Sequence, residues 1–255
     1  ELVFYMEACE SGSMFEGILP DNIEIYATTA ANAHESSYAC YMDQHLNTYL
    51  GDVYSVNWME NTDSVGLSET LSKQYDIVKQ LTNTSHVMEY GQMSINSEAI
   101  GEYIGYDKKT QTELSRPSVP LTSTVSDKSD AVSTRDVTLS ILKARHAQAV
   151  AANADDVDVH YKAVRAEEAR RELVRERVMS VAAQLVGADR ATALVGLKTL
   201  PTQWACYKES LNAFMSLCGR LDGYGMQFVN VFSNLCDAGV SPVAVHAAAK
   251  NSCGV

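Results

Sequence analysis

Cys9 is the residue of this sequence best suited to nucleophilic chemistry. It stands in Tyr5-Met6-Glu7-Ala8-Cys9-Glu10-Ser11-Gly12-Ser13, where an apolar run gives way to a small polar turn. A thiol carried on such a turn can present itself to a substrate carbonyl. The competing use is packing, because free cysteine is among the most buried residue types and is often inert. No sequence feature beside Cys9 supplies a base, and negative charge at Glu7 and Glu10 works against a thiolate.

The elements that would position this thiol are legible in the pattern. Leu2-Val3-Phe4-Tyr5-Met6 is continuous and apolar, which suits a strand buried on both faces. In open parallel sheets ligands bind in the crevice beyond the carboxyl ends of the strands, where Cys9 would sit. Residues 23–29, Ile-Glu-Ile-Tyr-Ala-Thr-Thr, predict a second strand. Residues 52–58 suit a strand or the start of a helix. Ser68 is the expected cap of a helix running through Leu71, Tyr75, Val78 and Leu81. Residues 1–107 are therefore α/β material. Residues 108–135, with Arg116-Pro117-Ser118-Val119-Pro120 and a Ser/Thr/Asp stretch, predict an exposed linker. From Asp136 the pattern is helical. Val174, Val178, Val181 and Leu185 form one stripe, Gly187 is the expected stop, and further helices are expected after Thr202 and between Tyr224 and Cys236.

Charge divides at the same place. The net charge is −12, which argues against a nucleic-acid partner. Residues 1–107 hold 17 acidic and 2 basic side chains, while residues 108–255 hold 15 and 18. An acidic body beside a mildly basic tail suits attraction that acidification would weaken, and charge alone suits an ordinary solvated acidic surface better. Cysteines divide too: Cys9 and Cys40 lie early, whereas Cys206, Cys218, Cys236 and Cys253 crowd the last fifty residues. Four cysteines on a small helical module suit two disulfides and an oxidising compartment, with three connectivities open. Zinc is the competing reading, although no CxxC pair is present. Asn83-Thr84-Ser85 is a glycosylation sequon and points the same way. No apolar stretch is long enough to span a membrane, and the first residues carry no basic leader, so the chain looks as if it begins inside a domain.

Longer strings carry a family likeness. Tyr5 to Met14, Leu19-Pro20-Asp21-Asn22, Tyr26 to Asn32, Glu35 to Cys40, Thr48 to Asp52, Tyr54 to Glu60 and Ser85 to Gly91 resemble the legumain family of asparaginyl endopeptidases, its animal members most. Trp204-Ala205-Cys206-Tyr207, Ser216-Leu217-Cys218 and Asn234-Leu235-Cys236 extend the likeness into the tail.

The resemblance implies a caspase-like α/β peptidase domain lacking its N-terminal half, over residues 1–107. An activation linker over 108–135 and an all-α, death-domain-like prodomain over 136–255 would follow. It implies Cys9 as nucleophile, and Glu7, Ser37 and Asp52 as the pocket that reads an Asn side chain, or Asp under acidic conditions. That chemistry fits, since a side-chain amide offers an NH2 donor to carboxylates and a carbonyl acceptor to a hydroxyl. It implies the pairs Cys206–Cys236 and Cys218–Cys253, glycosylation at Asn83, and activation cleavage at Asn153 or Asp136. It implies no metal or cofactor, a lysosomal, endosomal or secreted location, and as partners peptide substrates, the chain's own prodomain and cystatin-type inhibitors. The family's general base is a histidine that precedes the cysteine, beside a glycine. His34, His45, His86, His146, His160 and His246 all follow Cys9, so the chain alone is expected to hydrolyse peptides poorly. Two rivals stand beside this reading: a non-catalytic inhibitor or binding protein, and the related transamidase that attaches lipid anchors.

Overall fold

The computed structural model describes residues 1–105 and 128–254. The expected linker residues 108–127, with the Arg116–Pro120 string, lie outside the described residues. The chain forms two compact units, Glu1–Val137 and Thr138–Val255. Residues 128–136, expected in a loose linker or at the edge of a prodomain, therefore group with the first unit.

The first unit holds two three-stranded sheets. In one, β1 (Leu2–Met6) lies parallel to β2 (Ile25–Thr29), which pairs antiparallel with β5 (Met88–Gly91). Central β2 is the buried strand: Tyr26 and Ala27 are inaccessible, and the tyrosine hydroxyl is satisfied by Glu89 at 2.8 Å. The sequence predicted that status for β1, and the structure corrects it. β1 has one strand neighbour among the described residues, and Leu2 and Phe4 are exposed while Val3 and Tyr5 pack inward. A continuous apolar run suits two covered faces, but which strand is covered depends on sheet order.

The second sheet orders β4 (Thr48–Asp52), β3 (Tyr38–Asp43) and β6 (Val132–Ser133), all antiparallel. β3 and β4 form a hairpin. The Asp43 carboxylate accepts from the amides of His45 and Leu46 in its turn, a common asparagine/aspartate device. Two helices follow, α1 (Val53–Val65) and α2 (Leu71–Leu81). Thr70, and not Ser68, caps α2 by accepting from Lys73 N at 3.2 Å. Tyr54, Trp58, Tyr75 and Val78 from these helices cover Ala30, Tyr5 and Val87. A short α3 (Gly101–Ile104) contributes Gly101 and the adjoining Ile100 to the interior.

The second unit is helical among its described residues: α4 (Val137–Ala151), α5 (Val157–Val186), α6 (Ala188–Gly196), α7 (Trp204–Cys218), α8 (Asn230–Asp237) and α9 (Pro242–Cys253). Its core joins Val178, Val181 and Ala182 of α5 to Phe214, Phe232, Leu235, Val245 and Ala249. The expected stripe is thus buried at Val178 and Val181 and half-buried at Val174 and Leu185. Gly187, at a φ of 85° open to glycine, ends α5 as expected. Glu167, Arg170 and Arg171 precede the stripe on α5 and are only partly solvated. Glu167 and Arg171 are buried as an ion pair at 2.7 Å, and Arg170 links Glu167 to Asp222. The disulfides are Cys206–Cys236 and Cys218–Cys253, which leaves no thiol set for zinc there. No described helix is long and apolar enough to cross a membrane.

Candidate functional site

The carboxyl end of β1 delivers Glu7 and then Cys9 to a turn held by backbone. Glu10 takes a left-handed φ of 51°, and its amide donates to Glu35 O at 2.7 Å. Gly12 N donates to Ala31 O at 3.0 Å, and Ser11 Oγ both donates to Ala31 O and accepts from Ala31 N. Gly12 lies so close to Ala33 N, Asn32 C and the Tyr90 hydroxyl that a Cβ there would stand 2.6–2.9 Å from them. Glycine at this position is what lets the chain after β1 pack against that after β2.

Four expected site residues meet at this turn. Cys9 is half-buried, and its Sγ stands 3.9 Å from the Oγ of buried Ser37. Asp52 closes β4 opposite Ala39 of β3 and sits near enough to Glu7 to raise its pKa. Burial is the larger cause, and together they push Glu7 up to about 7, although Ser55 draws part of that back. Burial raises Asp52 as well. Glu7 Oε2 accepts from the Ser55 amide at 2.9 Å and the Ser55 hydroxyl at 2.8 Å. Glu7 Oε1 is buried with no hydrogen-bond partner at bonding distance among the described residues, although Ser37 stands near enough to lower Glu7 slightly. Glu7 thereby caps the N-terminus of α1, a role its own N-cap residue, Asp52, does not fill. Two carboxyl groups that are easily protonated, a hydroxyl and a thiol thus line one place.

Sequence reasoning missed the groups that hold this place. Ser55 is one. Three more arrive from the far end of the unit. Thr134 N donates to Ser37 O at 3.0 Å, and its hydroxyl lies 3.1 Å from Ser37 Oγ. Arg135 pairs with Glu10, beside Cys9. Asp130 accepts from the amides of Tyr41 and Met42. These partners are 48 to 125 residues apart in sequence, so no local spacing announces them.

The remaining expected residues lie elsewhere. Asn83 is exposed in the loop between α2 and β5, and Ser85 of its sequon donates to Ala30 O. Asp136 follows Arg135 at the end of the docked segment. Asn153 is exposed, with a left-handed φ of 47°, and its amide closes on Val150 O. Among the described residues no imidazole hydrogen-bonds Cys9: His86 engages Glu35, and His160 engages Asp156. Cys40 is buried, and its thiol is pushed up to about 12 by burial. No cluster of metal ligands occurs among the described residues.

The peptidase C13 family profile matches residues 1–110, and the legumain prodomain profile matches residues 162–253. Residues 1–110 thus carry a peptidase C13 region and residues 162–253 a legumain prodomain region. The chain is 38% identical to legumain of Mus musculus over 247 residues and 38% identical to legumain of Homo sapiens over 248. Each of these alignments covers 93% of this chain and 54% of the relative. It is 33% identical to the vacuolar-processing enzyme of Vicia sativa over 269 residues, covering 99% of this chain and 54% of that protein. The chain thus spans about half the length of the curated relatives it matches. The C13 match lies within the first unit and stops before β6, and the prodomain match falls within the helical unit.

Proposed function

We propose that this chain is part of a cysteine endopeptidase zymogen that cleaves after Asn, and after Asp in acid. The observation that carries the reading is the convergence of Cys9 with Glu7, Ser37 and Asp52 at the end of β1. Cys9 Sγ, as thiolate, attacks the backbone carbonyl carbon of the recognised residue. The C–N bond breaks as the amine leaves with a proton, and a thioester remains. Water then cleaves the thioester, restoring the thiol and releasing an acid. An amine in place of water would make a new peptide bond instead.

Recognition follows from the donor inventory. The Asn NH2 donates to Glu7 Oε1 and to Asp52, while Ser37 Oγ donates to the Asn carbonyl. An ionised Asp is repelled when Glu7 carries charge. Below about pH 7 Glu7 takes up a proton and becomes a donor, which removes its share of the repulsion, and Asp52, raised by burial, gives up its share at lower pH. The family's general base is a histidine beside the nucleophile. The described residues put none there, so this chain by itself turns over slowly.

The helical unit, carrying the legumain prodomain match, serves as the intramolecular inhibitor. The segment at Thr134 and Arg135 contributes by occupying Ser37 and Glu10. Two disulfides suit the oxidising secretory route, and acid-dependent chemistry suits a lysosomal or endosomal end point.

The test is adduct formation by a peptidyl chloromethyl ketone ending in Asn, followed by intact mass. The chain carries Arg135→Ala to loosen the segment. One adduct is expected on Cys9 and none in Cys9→Ala, since Cys40 is buried and the other four cysteines are paired. An Ala-ending reagent that labels as fast as the Asn one would overturn the pocket assignment.

A further inference from the structure

Tyr41 is the bulkiest of the described residues held at positive φ, at 63°. A left-handed conformation is unfavourable for an aromatic residue and persists only where the surroundings impose it. Here it interrupts the β3–β4 ladder. Ala39 faces Asp52 and Cys40 faces Gly51, then pairing resumes at Met42 and Tyr49. It also turns two successive amides onto one anion: Tyr41 N donates to Asp130 Oδ1 at 3.1 Å, and Met42 N donates to Asp130 Oδ2 at 2.5 Å. Converging backbone N–H groups of this kind form an anion-binding nest.

The carboxylate in the nest opens a strand laid along β3 beside Cys9 and Ser37. Val132 faces Ala39 and Ser133 faces Tyr38, antiparallel. Thr134 N then reaches Ser37 O, and Arg135 reaches Glu10 beside Cys9. Strand addition of this type is indifferent to sequence at the backbone and takes its selectivity from side-chain subsites. The nest stands four residues before Thr134, the residue opposite Ser37.

We propose that the amides of Tyr41 and Met42 form a carboxylate subsite of the substrate cleft. It takes an Asp or Glu side chain four residues before the substrate residue that stands opposite Ser37, and Asp130 is its internal occupant. This rests on the cleft being a peptide-binding site, as set out above. The subsite prefers an acid to its amide because a carboxylate accepts from both N–H groups, whereas an amide offers one oxygen and leaves a donor unpaired. Lys128, bound to Asn57 and Glu60, belongs to the same segment as Asp130 and would depart with it.

The experiment uses the full chain carrying Asp130→Ala and four end-blocked, fluorescent peptides. The first has the sequence Asp-Ala-Val-Ser-Asn. The second begins with Asn instead, and the other two repeat the pair with Ala in last place. Anisotropy titration should show each Asp-first peptide binding about tenfold tighter than its Asn-first partner, whichever residue is last. Equal affinities for the two first residues overturn the subsite. A first-residue preference that survives while Asn and Ala in last place bind alike supports the subsite and refutes the Asn pocket, so the two ideas fail separately. If Asp130→Ala does not fold, the same peptides compete with the internal segment of the unaltered chain. The amide resonances of Tyr41 and Met42 are then followed, and the Asp-first peptide should shift them at about one-tenth the concentration.

Discussion

Glu7→Gln should strip the first unit of most of its extra stability in acid. Glu7 is held up to about 7 against an ordinary 4.5, with burial the first cause. Between those values the folded state keeps a proton that the unfolded chain releases. The stabilisation is therefore fully present below about pH 4.5 and is lost as pH rises through about 7. The separation corresponds to about 3 kcal/mol, an upper bound because Glu7 retains some contact with water. For a unit of this size that moves Tm by on the order of 10 °C. Asp52 and Glu69, both raised by burial, add smaller contributions of the same sign. Glu35, which is lowered because amides and His86 outweigh its burial, acts with opposite sign and below the window. The assay is thermal unfolding at pH 4.5 and 7.5 in a Trp204→Phe background, followed by fluorescence of Trp58, which packs on Tyr5 in the first unit. The parent should melt higher at pH 4.5, and Glu7→Gln should lose most of that difference. A parent without the difference, or a variant that keeps it whole, would refute the reasoning.

Three further substitutions probe the frame. Gly12→Ala should destabilise the first unit by roughly 1–3 kcal/mol in chemical denaturation, since two of the three atoms its Cβ meets are backbone and cannot swing away. Removing Cys206–Cys236 by double alanine substitution should cost the helical unit about 3–4 kcal/mol for its 30-residue separation, read as a lower denaturant midpoint; an unchanged midpoint would mean the bridge is dispensable. Asn153→Gly should leave α4 intact or slightly stabilised by circular dichroism, because glycine takes the left-handed position at no steric cost, while ending any cleavage after residue 153. Cleavage there in the parent should be slower than in an unstructured peptide of the same sequence, because the left-handed turn must open before it can lie extended in a cleft.

Local chemistry was legible wherever neighbours in sequence decide it. The helical stripe at Val178 and Val181, the stop at Gly187 and the strand at Ile25–Thr29 follow from periodicity and punctuation. Ser68 misled because Thr70, two residues on, offers the same capping oxygen, and the capping distance to Lys73 chose between them. The burial of β1 was misjudged because an apolar run specifies a strand but not its place in the sheet.

The sequence by itself determined the setting of Cys9 and the likeness to legumain, because long ordered strings carry them. It also narrowed four late cysteines to three pairings, and chain folding chose one by bringing residues 30 and 35 apart within bonding distance. Only the tertiary structure decided that Ser55 holds one oxygen of Glu7, and that burial keeps Glu7 half-protonated near neutrality. The same holds for the strand from Asp130 to Arg135, laid against β3 with its carboxylate in the Tyr41–Met42 nest. The physical reason is common to all three. Burial, desolvation and convergent hydrogen bonds arise between groups tens of residues apart, and no propensity of either partner encodes which distant group it will meet.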